Sequence, residues 1–170
     1  MKKKFIYYFG YGANRDADMM HAMIGRRPEG KPAKLRNFEL CVQHWHEVEE
    51  KVKKALTTCK WDSAFRTYCA RLNVGKATEG TLWLITKDEH RHVGNWEMHG
   101  HWYKPVKIFL ESEGKIVEAV TEIINDKTLR SAAEIYGEKH PIYLNDKKQM
   151  FDAAKAVRKK MGNKYYTDLP

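Results

Sequence analysis

The chain is short of the residues that would staple it or thread it through a membrane. Only three of its 170 residues are cysteines, Cys41, Cys59 and Cys69. Their number is odd and no C-x-x-C spacing occurs, which argues against a disulfide framework and against a structural zinc site. The plain reading is reduced thiols in a cytoplasmic protein, each cysteine a small buried hydrophobe. Long apolar runs are missing too: Lys, Arg, Asp, Glu or Gly interrupts each one before the ~18 residues of a membrane span. Lys2, Lys3 and Lys4 ahead of Phe5 to Tyr8 imitate a secretion signal. A signal core needs ~7 to 15 apolar residues, however, and Gly10, Gly12, Asn14 and Arg15 follow at once. No repeat or low-complexity tract occurs.

What the chain does have is core-building material. A hydrophobic fraction of 42% with 12% aromatics excludes a disordered or collagen-like chain, and the length suits one domain over residues 1–170. Lys and Arg number 31 against 22 acidic residues, a net charge of +9. Such a balance raises the possibility of nucleic acid binding. The distribution argues against it: Lys51, Lys53 and Lys54 are scattered from Lys147, Lys148, Arg158, Lys159 and Lys160, and those five form the solvated face of a predicted helix.

Phe5 to Tyr11, aromatic and β-branched, predicts a buried strand that ends in the loop Gly10-Tyr11-Gly12-Ala13-Asn14. Asp16 or Asp18 then caps a short helix carrying Met19, Met20, Met23 and Ile24 to a stop at Gly25. Pro28 to Pro32 is expected as a connector, Phe38, Leu40 and Val42 as a strand, and charge-dense Val48 to Lys54 as a loop. Ala64 to Val74 alternates as a strand closed by Gly75, and Thr81 to Ile85 forms another. Thr86-Lys87-Asp88-Glu89 has the form of a capping box, so a helix starts after Ile85, with His90, Val93 and Glu97 on one face towards the sheet. Val106, Ile108 and Leu110 pair with Ile116 to Ile124 in a hairpin through Glu111-Ser112-Glu113-Gly114, Pro105 lying on its exposed margin. A last helix runs from an Asn145 cap to Gly162. Strands mixed with a few short helices give an α+β domain on a curled, mixed β-sheet.

Gly-x-Gly between a strand and a helix brings bare backbone N–H groups to a turn where an anion or carbonyl oxygen can be held. A dinucleotide fingerprint needs a third glycine, and position 15 is Arg15. Six of the eight histidines fall in pairs, His44 with His46, His90 with His92, and His99 with His101. On a helix i and i+2 diverge, so His90 and His92 do not chelate, and solvated or rim histidines is the simpler reading of all three pairs. The tryptophans read as core and rim residues, not as a base-stacking platform.

Tyr8-Phe9-Gly10-Tyr11-Gly12-Ala13-Asn14 resembles the Tyr-Gly-Ser-Asn signature that opens the γ-glutamylcyclotransferase-like family, which includes the AIG2-like and γ-glutamylamine cyclotransferase proteins. Leu35-Arg36-Asn37-Phe38-Glu39-Leu40, Glu79-Gly80-Thr81-Leu82-Trp83-Leu84-Ile85, Trp96-Glu97 with Tyr103 and Val106, and Pro141-Ile142-Tyr143-Leu144 are similar to its later segments, in the same order. The resemblance runs from about Tyr7 to Met161 and implies a small barrel-like fold. It implies an enzyme that takes a small γ-glutamyl amide and releases 5-oxoproline, with Glu97 as the single acid/base. It further implies substrate contacts at Tyr11, Gly12, Ala13, Asn14 and Tyr143, with neither metal nor cofactor. Two positions depart from the pattern: Ala13 replaces a serine, and Met98 stands where a glycine commonly follows the glutamate. The segment Met98 to Trp102, rich in His and Trp, suggests an acceptor side suited to a bulky or aromatic amine. The same fold kept as a non-catalytic binding module is the alternative.

Overall fold

The computed structural model describes residues 3–124 and 126–165; Lys2 and the outermost ends of the 1–170 span lie outside them. β1 (Phe5–Gly10) pairs antiparallel with β3 (Arg66–Thr86), from Phe5 opposite Thr86 to Gly10 opposite Thr81, and meets β5 (Lys115–Ile123) in parallel at Tyr8 and Val120. β5 forms the expected hairpin with β4 (Lys104–Ser112), which touches β2 (Glu29–His44) at Lys34 and Glu111. β2 returns along β3, so the order β3-β1-β5-β4-β2 closes on itself as a five-stranded barrel, and short β6 (Arg130–Ser131) adds to β2. Closure leaves these five strands without a free edge among them. The expected curled, mixed α+β sheet is present.

Side chains alternate across this wall. Phe9, Leu35, Leu40, Val42, Tyr68, Leu82, Ile108, Leu110 and Ala119 make one core inside the barrel, with contributions from all five strands. Tyr8, Trp83 and Ile85 face the other way, onto the helices. Leu35 and Leu40 differ in parity, yet both point inward. A bulge accounts for this: the register shifts between Arg36 and Phe38, where Asn37 takes φ 62°, and the irregularity swaps the faces of the following half-strand.

The helices are α1 (Ala17–Ile24), α2 (Glu50–Thr58), α3 (Lys87–Trp96), α4 (Ala132–Tyr136) and α5 (Lys147–Met161). Asp16 caps α1, its side chain accepting from the Asp18 N–H, and Gly25 ends it at φ 91°. The Thr86 and Glu89 capping box of α3 is formed in both directions.

Four expectations are corrected. Pro28 to Pro32 is no connector, since β2 begins at Glu29; Gly30 allows it, because a Cβ there would lie 2.1 Å from the Trp83 ring. Val48 to Lys54 is not a loop: past Val48 and the cap Glu49 it is the start of α2, in which Val52 and Leu56, four apart, are buried, and the dense charge is only the helix's outer face. Gly75 does not end a strand; β3 continues as one element of 21 residues past it. Asp146, not Asn145, caps α5, while Asn145 accepts from the Arg66 N–H at 3.0 Å and donates to the Arg66 carbonyl at 2.6 Å, clamping the start of β3.

Candidate active site

Glu97 sits one residue past the end of α3, as its C-cap, and its N–H donates to the Val93 carbonyl at 2.9 Å. The chain then reverses through Met98 (φ 51°) and Gly100 (φ 81°), and the Tyr103 N–H returns to the Glu97 carbonyl at 3.2 Å. This tight reversal aims the glutamate inward, where it is only 8% exposed.

Facing it is the loop after β1. Gly10 is needed there: a Cβ would stand 2.4 Å from the Asn14 carbonyl oxygen. Residues Ala13–Arg15 form a single 3-10 turn, and the N–H groups at the start of such a turn have no acceptor within it. The buried Asn14 side chain bridges the two halves of the site. Its Nδ2 donates to Glu97 Oε1 at 2.8 Å and to Tyr8 Oη at 2.7 Å, while the Asn14 backbone carbonyl accepts from Trp83 Nε1 at 2.7 Å. The spacing of Glu97 and Asn14, 83 residues apart in sequence, gives no local signal of this contact.

Both features border one cavity of about 480 Å³, a size suited to a small organic molecule. Tyr11, Gly12, Ala13, Asn14 and Glu97 all line it. Tyr143 does not: it stands outside, its hydroxyl donating to Asp16 Oδ2 at 2.7 Å, so its expected substrate contact is replaced by a tie between the loop before α5 and the cap of α1. Tyr11 borders the cavity as a strut, its hydroxyl donating to the Glu122 carbonyl. Cys41 and Cys69 are buried as expected, but Cys59 is half-buried and borders the cavity.

Sequence reasoning missed Glu122. This carboxylate is 2% exposed, lines the same cavity, and stands between two histidines, with His90 Nε2 2.9 Å from Oε1 and His99 Nε2 2.6 Å from Oε2. The second contact lacks the angle of a directed hydrogen bond. Room for the His99 ring comes from Gly94, whose Cβ would lie 2.5 Å from His99 Nδ1. His90 and His99, drawn from two different sequence pairs, thus meet on Glu122, while His44 and His46 stack on each other with centroids 5.8 Å apart. Among the described residues, His90, His99 and Glu122 have ligand atoms within 4.8 Å of one another and are the group that could hold a metal ion.

The two carboxylates are driven apart. Burial pushes Glu97 from its ordinary 4.5 to about 8; the Glu122 charge adds to the rise, and the Asn14 hydrogen bond opposes it. Burial acts on Glu122 in the same direction, but His90 and His99 outweigh it and hold that carboxyl below the ordinary range. A neutral acid and an ionised one therefore share the cavity near neutral pH, a separation typical of acid/base chemistry. Tyr8, Tyr11 and Tyr103, all buried, are pushed well above the usual phenol value and stay protonated.

Solved structures share this architecture. The chain aligns with an uncharacterized protein from Homo sapiens at a TM-score of 0.57 and 14% identity, over 76% of this chain and 70% of that one. It aligns with a gamma-glutamyl cyclotransferase at 0.55 and 15%, over 90% and 99%, and with a protein from Arabidopsis thaliana at 0.54 and 13%, over 82% and 73%. No family model and no curated protein matches the sequence. At these identities the likeness is one of fold: this chain has the γ-glutamylcyclotransferase-like fold. No helix among the described residues is long and apolar enough to cross a membrane.

Proposed function

We propose that the protein cyclises a γ-glutamyl amide to 5-oxoproline and a free amine, with Glu97 as acid and base. The observation that carries this reading is a buried carboxyl with a raised pKa, facing a glycine-bearing loop across a closed-in cavity. Ionised Glu97 takes a proton from the substrate's α-ammonium, and the freed amine attacks the γ-carbonyl carbon to form a tetrahedral oxyanion. Glu97, now protonated, hands its proton to the leaving nitrogen as the old C–N bond breaks. The attacking nitrogen gives up a second proton on becoming a lactam N–H, and the departing amine takes up a second one in water, so the protons balance.

The backbone N–H groups of Gly12 to Asn14 hold the substrate carboxylate or the oxyanion, and Asn14 fixes the carboxyl that moves the protons. Because attack is intramolecular, a cavity that holds the chain bent supplies much of the rate. A gamma-glutamyl cyclotransferase of the same fold supports the reaction class.

Incubation with a panel of γ-glutamyl amides, 5-oxoproline being followed by mass spectrometry, tests it. Turnover that falls at least about a hundredfold in Glu97→Gln is expected, the scale of removing a general acid/base. Undiminished turnover in that variant ends the assignment, and ligand binding without turnover by the wild type leaves the non-catalytic binding module in its place.

A further inference from the structure

The cavity is polar at one end and apolar at the other. Tyr8, Tyr11, Asn14, Glu97 and Glu122 make the polar end. Away from it the lining passes to Leu56 of α2, then Trp61, Phe65 and Trp102, and to Val157 and Met161 of α5. The rings form a connected wall: Trp61 and Phe65 have centroids 5.2 Å apart, Phe65 and Trp102 6.0 Å, and Trp102 and Tyr103 4.9 Å. Trp102 has already given its indole N–H to Gln43 Oε1 at 2.9 Å, so it offers a ligand ring surface and no spare donor.

We infer that the leaving amine of the γ-glutamyl substrate carries an aromatic or similarly bulky apolar group, seated on the Trp61–Phe65–Trp102 wall. This rests on the cyclisation reading. A γ-glutamyl head is no larger than a glutamine residue and fills only part of about 480 Å³. Although Thr58, Thr67, Asn95, Asn145 and Lys160 also line the cavity, most of the remaining lining is carbon, against which an apolar group gains by leaving water. Ring-on-ring contact at centroid separations like those of the wall adds to the gain. A cationic amine finds no carboxylate there: the lining anions are Glu97 and Glu122 at the other end, and Lys160, the cation among the described lining residues, repels it. The sequence pointed to Met98–Trp102 for this side. Trp102 and Met98 do line the cavity, but His99 pairs with Glu122, and two of the three wall rings are Trp61 and Phe65, between α2 and β3.

The test compares kcat/KM for γ-glutamyl phenethylamide, γ-glutamyl methylamide and the amide of a short diamine, in the wild type and in two variants. Trp61→Ala removes part of the wall. Ala55→Trp fills the apolar end from a half-buried position on α2 and so keeps a folded control available. The wild type is expected to favour the phenethylamide over both others by roughly tenfold or more, the discrimination an apolar pocket gives for added apolar atoms. Each variant is expected to cut that preference to within about threefold, and in Ala55→Trp, which leaves the wall residues intact, the methylamide rate should move by less than about threefold. Equal turnover of the amides by the wild type, or a preference that survives both variants, overturns the inference and leaves the cyclisation reading standing. Absence of 5-oxoproline from all three amides overturns the cyclisation reading and this inference with it.

Discussion

Replacing Glu97 with glutamine should stabilise the protein, and increasingly so as the pH rises. In the unfolded chain the carboxyl ionises near 4.5, whereas burial in the folded chain delays ionisation to about 8. Between those values unfolding releases a proton, so the stability that Glu97 contributes is complete below about pH 4.5 and is lost as the pH climbs through about 8. Each pH unit of separation corresponds to about 1.4 kcal/mol, which caps the cost of ionising Glu97 in the folded state at about 5 kcal/mol. Relaxation around the charge reduces this; about 2 kcal/mol would still move the melting temperature of a chain this size by roughly 4 to 8 °C. Glutamine keeps the shape and the oxygen that accepts from Asn14 Nδ2, so the variant differs mainly in being unable to ionise. Thermal melts of both proteins at about pH 5 and about pH 9 measure the effect. The variant should gain several degrees over the wild type at the higher pH and little at the lower, while losing turnover. A melting difference that does not change with pH would mean that Glu97 ionises near its ordinary value, and would refute the claim of a buried, neutral acid.

The remaining expectations concern the same pocket. The kcat/KM of the wild type should rise with pH through about 8 as Glu97 ionises, then fall once the substrate's ammonium has lost its proton; a profile flat from about 6 to 9 contradicts the assigned base. Asn14→Ala removes a hydrogen bond that lowers the Glu97 pKa, so the rising limb should move to higher pH and kcat drop roughly tenfold or more, whereas a purely structural Asn14 would leave the limb in place. Glu122→Gln removes a charge that raises Glu97, so the limb should move to lower pH, as followed by the same profile. Gly10→Ala forces a Cβ to 2.4 Å from the Asn14 carbonyl oxygen and should cost about 2 to 4 kcal/mol in denaturant unfolding, or displace the loop and abolish turnover.

The parts of the molecule that could be read from sequence were those written in local chemistry. The Thr86 and Glu89 capping box, the Asp16 cap, the Gly25 and Gly162 stops and the β4–β5 hairpin all depend on residues a few positions apart, and all are formed. Glu97 and the loop Tyr11 to Asn14 could be named because their order and flanks resemble a family pattern, and the fold brings them to one cavity. α2 was obscured by its own solvated face, since Glu and Lys dominate its sequence while Val52 and Leu56 do the packing. The Asn37 bulge was invisible because alternation looks regular on either side of it. Glu122 had no signal at all: it lies in an alternating strand as one more outward-looking charge, and its histidine partners lie 32 and 23 positions away. Long-range pairing of that kind is decided by the closure of the barrel, which no window of sequence contains.

Met98 shows how a departure from a family pattern can be absorbed. The position takes φ 51°, a left-handed conformation that glycine adopts freely and that costs a side-chain-bearing residue roughly 1 to 2 kcal/mol. That conformation is the reason a glycine suits the residue after the glutamate, since the chain must reverse there to turn the carboxyl inward. Methionine is nonetheless 92% buried and borders the cavity, and removing a buried side chain of its size costs about 2 to 5 kcal/mol. Packing therefore outweighs strain, and Met98→Gly should destabilise the protein by about 1 to 3 kcal/mol even though it relaxes the backbone. It should also widen the cavity beside Glu97 and raise KM for a bulky amide more than it lowers kcat, because the carboxyl and its Asn14 anchor stay where they are. A variant more stable than the wild type would show that the strain at this turn exceeds what the methionine's burial returns, and would place the cost of aiming Glu97 in the backbone itself.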